Sequence, residues 1–206
     1  MTEKTTRIVI FAKAPRAGFA KTRLIPAVGA EGAAELAKKL LLNAVDAALA
    51  ADIGPVELCV TPDLSDPLWQ QLDLPQQLHY SVQCDGDLGQ RMAGAVQKVL
   101  AYGEQIILTG TDCPMLNVQR LRDAAAALNH HRCALYPVSD GGYSMIALND
   151  FDPSLFSDIP WSTEQVFPMT QERLENLGWD WWQGETLRDI DEPEDLQWLP
   201  NKRSTE

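Results

Sequence analysis

The chain has no run of about 18 consecutive apolar residues, which excludes a membrane-spanning helix of ordinary length. It has only four cysteines, Cys59, Cys84, Cys113 and Cys133, and none forms a CxxC pair. Neither a zinc knuckle nor a redox dithiol is built from them. Isolated cysteines of this kind fit reduced thiols, and the protein is expected in the cytoplasm. Basic residues are scarce, with 17 Lys and Arg against 29 Asp and Glu and a formal net charge of -12. The chain lacks any basic block of about five residues. An acidic surface repels a nucleic-acid backbone, so neither nucleic-acid binding nor membrane insertion is expected. Internal repeats and low-complexity segments are absent too. The first apolar run has strand length and passes directly into a charged loop, unlike a signal peptide. What remains is an ordinary globular composition of 206 residues, 45% hydrophobic and 22% charged. That is room for one α/β domain, and residues 1–206 are expected to form it.

Apolar patterning predicts alternating strands and helices. Ile8, Val9, Ile10 and Phe11 are apolar without alternation, so residues 7–12 read as a buried strand. A helix is expected over 30–51, with Leu36, Leu40, Ala44 and Ala48 on one face. Strands follow at 56–61, 79–82 and 105–109, and helices at 88–102 and 117–129. Strands at 133–138 and 143–148 flank the turn Asp140-Gly141-Gly142. The alternation predicts a mostly parallel central sheet with helices on both faces. The last third, rich in tryptophan, reads as a strand-helix-strand excursion and a terminal helix. Residues 1–6 and 201–206 are expected as flexible ends around an ordered core.

Against the acidic background one loop stands out. Lys13, Arg16, Lys21 and Arg23 cluster between the first strand and the first helix. Doubly wound sheets bind ligands at such junctions. The loop is neither a P-loop nor a GxGxxG fingerprint. Gly18 permits a tight turn, and Lys13, Lys21 and Arg23 supply cationic arms for phosphate. The alternative is a solvated basic loop. A second site lies at Gly110-Thr111-Asp112-Cys113-Pro114, where a buried strand delivers Asp112 to its carboxyl end. Gly110 admits a ligand, and a carboxylate beside phosphates would hold Mg²⁺ or Mn²⁺. An N-cap aspartate is the alternative. Cys113 reads as packing. Asp140, Gly141 and Gly142 form a turn that either exposes a carboxylate or simply reverses the chain. Asp87 can cap the helix in which Arg91 lies one turn in. Trp161 either stacks on a ring or closes the core, and Ser162 or Thr163 is expected to cap a helix. In Asp189-Ile190-Asp191-Glu192-Pro193-Glu194-Asp195, helix capping accounts for the later acids better than for Asp191.

Six segments together resemble the DUF2064 family, bacterial proteins of the glycosyltransferase A superfamily, also described as nucleotide-diphospho-sugar transferase-like. They are FAKAPRAGFAKTRL at 11–24, GDLGQRM at 86–92, GTDCPML at 110–116, DGGYSMIAL at 140–148, PWSTEQV at 160–166 and DIDEPEDL at 189–196. The resemblance implies a Rossmann-like GT-A fold that binds a nucleotide or nucleotide sugar with a divalent metal. The DxD motif common in the wider superfamily is missing, because Cys113 and Pro114 follow Asp112. A single strand-end aspartate is closer to nucleotidylyltransferases. In those, the residue two before the proline of a late PEDL segment helps hold metal, and Asp191 occupies that place here.

The expected function is metal-dependent transfer from a nucleotide-diphospho-sugar to a small acceptor. Lys21 and Arg23 would neutralise the diphosphate, and Asp112 and Asp191 would hold the metal. Asp140 would orient or deprotonate the acceptor. Asp87 and Arg91 are expected on the nucleotide side, and Gly141, Gly142, Trp161 and Thr163 on the acceptor side. Two alternatives stand beside it. One is a nucleotidylyltransferase joining a nucleoside triphosphate to a phosphorylated small molecule. The other is a nucleotide-binding protein without turnover.

Overall fold

The computed structural model describes residues 4–199. Seven strands form one sheet: β1 (Thr6–Lys13), β2 (Val56–Thr61), β3 (His79–Val82), β4 (Gln105–Thr109), β5 (Cys133–Pro137), β6 (Tyr143–Leu148) and β7 (Trp181–Gln183). Their order is β3-β2-β1-β4-β6-β5-β7. All neighbours run parallel except at β6, which is antiparallel to both β4 and β5. The helices are α1 (Ile25–Ala51), α2 (Pro67–Gln70), α3 (Leu88–Ala101), α4 (Val118–Ala127) and α5 (Val166–Asn176). The expected open α/β sheet, covered on both faces, is therefore what this sequence forms.

Strand geometry divides the core in two, because successive side chains of a strand point to opposite faces. Ile8, Ile10 and Ala12 of β1 pack with Leu41, Val45 and Ala48 of α1 and with Leu121 and Ala124 of α4. Val9, together with Ile106, Leu108, Ile146 and Leu148, packs with Val96 and Val99 of α3 and Leu174 of α5. A third cluster joins Leu24, Ala33 and Leu40 to Ile190, with Leu196 and Leu199 against it. It docks the segment after β7 beside the first loop.

Several expectations are corrected. Thr6, expected in a flexible end, lies in β1 at 4% exposure, with its hydroxyl donating to Gln105. The rest of that expectation falls partly on residues 1–3 and 200–206, outside the described residues. The first helix starts at Ile25 and breaks at Gly29 (φ 75°), so the expected start at 30 is the start of its second part. The expected terminal helix is a six-residue 3-10 helix, Pro193–Trp198. Of the two late strands, β7 is present, while a 3-10 turn at Pro153–Leu155 precedes α5. The four-residue α2, capped by Asp66, was too short to leave a periodic signal. Pro168 sits in the first turn of α5, where its missing N–H takes nothing from the ladder. Among the described residues no helix is long and apolar enough to cross a membrane.

Away from the crevice described next, β2 carries a buried Glu57 at 5% exposure. It accepts from Arg7 at 3.4 Å and Lys98 at 3.1 Å. Burial opposes its charge, but the Ser81 hydroxyl, Lys98 and Arg7 outweigh burial and hold its pKa below the ordinary value. A depressed carboxyl stabilises the fold above its unfolded pKa, and that contribution is lost as pH falls through the folded value. Glu57→Gln is expected to destabilise the protein by about 1–3 kcal/mol at neutral pH. Urea unfolding should show the deficit shrinking in acid below the Glu57 pKa. A pH-independent deficit would mean that packing, not charge, is lost.

Candidate active site

The sheet order reverses direction between β1 and β4. From β1 the chain steps outward to β2 and β3, and β4 then enters on the other side of β1. The loops after β1 and β4 therefore diverge, and a crevice opens at the strands' carboxyl ends. It encloses about 580 Å³. The loop after β1 contributes Lys13, Lys21 and Arg23, and the loop after β4 contributes Gly110, Thr111 and Asp112. Asp140, Gly142, Trp161 and Thr163 line its far side, and Asp189 and Asp191 also reach it.

Lys21 is the centre of this arrangement. Its backbone is left-handed (φ 48°), which turns the side chain back under the loop. The ammonium is 6% exposed, and it contacts Asp112 and lies 2.9 Å from Asp191 Oδ1. It also donates to the Ile190 carbonyl at 2.6 Å. Burial opposes the lysine's charge, but Asp112 and Asp191 outweigh burial and hold its pKa above the ordinary value. Asp112 is 47% open to the crevice but ringed by protein, and this partial desolvation, with Asp191 beside it, shifts its carboxyl up against the pull of Lys21.

Asp191 is free to meet Lys21 because another acid does the capping. Asp195 Oδ2 accepts from the Glu192 N–H at 2.8 Å and the Asp191 N–H at 3.0 Å, and Pro193 takes the first helical position. The segment is tied to β4 by the Ile190 N–H, which donates to the Asp112 carbonyl at 2.9 Å. Ile190 is fully buried, while Asp189 and Asp191 on either side of it line the crevice.

Asp189 is the residue that sequence reasoning missed as a site group. Its Oδ1 is buried without a hydrogen-bond partner. Burial, with Asp112, Asp191 and Asp140 nearby, pushes its pKa up to about 7. The i, i+2 spacing from Asp191 was the available signal.

Other expected site residues divide clearly. Lys13 donates to the Phe19 carbonyl at 2.9 Å, which closes the loop on itself. Arg23 is exposed and lies 3.3 Å from Glu192. Gly18 takes φ 78° and shapes the loop without lining the crevice. A methyl group added at Gly110 would meet nothing within 4 Å, so this position faces open crevice. Arg16 turns away to Asp66 at 2.6 Å. Asp87 and Arg91 do not line the crevice. Asp87 forms a capping box with Gln90, and Arg91 donates to the Gly86 carbonyl at 2.8 Å. Cys113 is buried, and burial together with Asp189 pushes its thiol up to about 11, which suits packing rather than nucleophilic attack.

On the far side, Asp140 Oδ1 accepts from the Gly142 N–H at 2.9 Å. Gly141 takes φ 89° and lies against the backbone of Glu164. The Phe167 N–H donates to the Gly141 carbonyl at 2.8 Å, joining this turn to α5. Ser162 and Thr163 do not cap a helix as expected, because α5 begins three residues later, at Val166. Thr163 instead donates to the Pro160 carbonyl at 2.7 Å. Trp161 packs edge-on to Tyr143, with ring centroids 6.5 Å apart, and its indole lies over Gly89.

Among the described residues no group of three or more His, Cys, Asp or Glu is arranged to hold a metal ion. The donor chemistry nonetheless fits a hard divalent cation. Asp112 and Asp191 converge on a single cationic atom, and Asp189 adds an orphaned oxygen to the same wall.

The model of the family described as "Uncharacterized protein conserved in bacteria (DUF2064)" matches residues 44–163. That span includes the GDLGQRM, GTDCPML and DGGYSMIAL segments, but not the first loop or the segment at 189–196. A protein from Desulfovibrio desulfuricans G20, provisionally named a nucleotide-diphospho-sugar transferase, is 28% identical with a TM-score of 0.88. The alignment covers 98% of this chain and 90% of that one. CMP:2-keto-3-deoxy-manno-octonic acid synthetase, complexed with CTP, superposes with a TM-score of 0.61 at 14% identity, covering 95% and 96% of the two chains. Rv0371C from Mycobacterium tuberculosis H37Rv, in complex with manganese, gives 0.54 at 15%, covering 97% and 99%. These last two likenesses are of fold. No curated protein matches the chain in sequence.

Proposed function

The chain belongs to the DUF2064 family, and from that premise we propose that it is a nucleotide-dependent transferase that moves a sugar from a nucleotide-diphospho-sugar to a small acceptor. The observation that carries this reading is the segregation of charge. Among the described residues lining the crevice, the cations are Lys13, Lys21 and Arg23, from the end of β1 and the loop that follows it at the switch point. They make a single polyphosphate position, next to Asp112 and Asp191. The name of the Desulfovibrio relative supports the same donor class.

The chemistry follows from what the side chains can do. Arg23 would donate to the diphosphate, and Lys21, whose three donors are held by Asp112, Asp191 and the Ile190 carbonyl, would add its charge from beneath, so that both stabilise the charge that builds as the bond to the sugar breaks. Asp112 and Asp191 would hold Mg²⁺ or Mn²⁺, which neutralises phosphate charge when bound. Asp140 has one oxygen engaged by Gly142 and one left for an acceptor hydroxyl. In an inverting course that hydroxyl oxygen bonds to the anomeric carbon, its proton passes to Asp140, and the nucleoside diphosphate leaves.

A second reading, nucleotidyl transfer, is favoured by one observation. The second acid at Lys21 comes from the distant Asp191, as the resemblance to nucleotidylyltransferases implies, and not from a DxD motif. Panels of nucleotide sugars and nucleoside triphosphates, each with small acceptors and Mg²⁺, separate the two. Nucleoside diphosphate released from a sugar donor supports sugar transfer, and pyrophosphate released from a triphosphate overturns it. Binding without any product would indicate a nucleotide-binding protein. Asp112→Asn should retain the fold and lose the metal-dependent part of nucleotide affinity, measured by calorimetry with and without Mg²⁺. Equal metal dependence in the variant would remove Asp112 from the cation site.

A further inference from the structure

The far wall of the crevice differs chemically from the loop that carries the cations. Across β4 from that loop lie Asp140, Ser144, Trp161, Ser162 and Thr163, with Asp189 at their edge. No lysine or arginine lines this side among the described residues. A phosphorylated or carboxylated acceptor here would face Asp140 with no countercharge. Thr163 gives its hydroxyl proton to the Pro160 carbonyl and Ser144 gives its own to the Tyr136 carbonyl, so towards a ligand this wall is chiefly a set of acceptor oxygens, which suits the O–H groups of a polyhydroxyl molecule and not an anion.

The aromatic part of this wall is held in a fixed orientation. Trp161 packs edge-on to Tyr143, at an interplanar angle of 85°. Beneath it is Gly89, where an added Cβ would come within 2.7 Å of the indole nitrogen. Glycine at this point in α3 lets the indole lie directly on the helix. A fixed, half-buried indole next to a carboxylate and hydroxyls offers an apolar face to ring C–H groups and polar partners to ring hydroxyls.

We propose that the acceptor is a ring-shaped polyhydroxyl molecule of the carbohydrate class without a phosphate or carboxylate group, packed on Trp161 with a hydroxyl on Asp140. This rests on reading the crevice as a nucleotide-dependent transferase site, with the cationic loop committed to the donor. It also separates the two transfer chemistries, because nucleotidyl transfer to a phosphorylated molecule needs a second anion site.

Saturation-transfer NMR on the full chain tests it, using methyl glycosides of glucose, galactose and mannose and the matching sugar phosphates. Each is measured with and without saturating nucleoside diphosphate and Mg²⁺. Ring protons of at least one neutral glycoside should receive saturation whether or not the diphosphate is present. The signal should fall at least fivefold in Trp161→Leu and in Asp140→Asn, the latter at an exposed position that leaves folding intact. Sugar phosphates should bind only where nucleoside diphosphate displaces them. Sugar-phosphate signals that survive the diphosphate, or no neutral glycoside signal, would each overturn the proposal. Failure of nucleoside diphosphate to bind, with glycoside signals intact, would overturn the donor assignment alone.

Discussion

Lys21→Ala is expected to weaken nucleoside-diphosphate binding by about 10- to 100-fold, the loss of one buried cation at the donor site taken on the scale of a charge-assisted contact, about 1.5–3 kcal/mol. The substitution also acts on the fold, which the sequence alone did not foretell. Removing the ammonium leaves Asp112 and Asp191 facing each other without a cation. The carboxylates are 47% and 39% exposed, so solvent screens them. The expected destabilisation is therefore about 1–2 kcal/mol rather than the larger cost of breaking a dry pair. The lysine's pKa is raised in the folded state, so its contribution is complete below the unfolded lysine pKa and vanishes only as pH rises through the folded value. At neutral pH the whole effect should be present. Mg²⁺ should restore more thermal stability to the variant than it adds to the wild type, since the two carboxylates are freed to bind it. Calorimetry and thermal unfolding with and without Mg²⁺ are the measurements. Unchanged nucleotide affinity would remove Lys21 from the donor site.

Gly141→Ala should be strongly damaging for so small a substitution. The residue sits at φ 89°, and an added Cβ would lie 2.4 Å from the Glu164 backbone. A left-handed alanine costs about 1–2 kcal/mol, and forcing backbone apart in packed surroundings about 1–3 kcal/mol more. Roughly 3 kcal/mol of stability should be lost in urea unfolding. Nucleotide affinity should survive under native conditions, because the cationic loop lies on the other side of β4. A variant within about 0.5 kcal/mol of wild type would show that the turn and residue 164 can separate freely.

The inner strands of the sheet were legible because they are buried on both faces, whereas β3 is an exposed edge strand marked only by its short β-prone run. β2, β3, β4 and β6 fall at their expected residues, and Asn117 caps α4 through the Arg120 N–H as its position implied. The break at Gly29 was hidden because the residues before it, Ile25 to Val28, carry apolar side chains without helical period. In the site, the first loop and Asp112 were visible as chemistry out of keeping with its surroundings. The partition between them was not. Nothing in the spacing says that Arg16 leaves for Asp66, or that Asp87 and Arg91 spend their polar groups on their own helix turn. Asp189 was overlooked because a run of acids before a proline is well explained by capping. Its burial depends on Ile190 entering a cluster with Leu24 and Leu40, residues remote in sequence.

The contact between Lys21 and Asp191 joins residues 170 positions apart. Seen along the time axis of synthesis, this means that the cationic loop emerges among the first parts of the chain and waits for nearly all the rest. All seven strands are complete at Gln183, before Asp189 and Asp191 have been added. A nascent or truncated chain ending there has its whole sheet and none of the carboxylates that the later segment brings to Lys21. On the proposed reading of the site, competence to hold a metal-bound nucleotide would be acquired last, after the framework, and a prematurely released chain would carry the cationic loop without the carboxylates that complete its ion pairs.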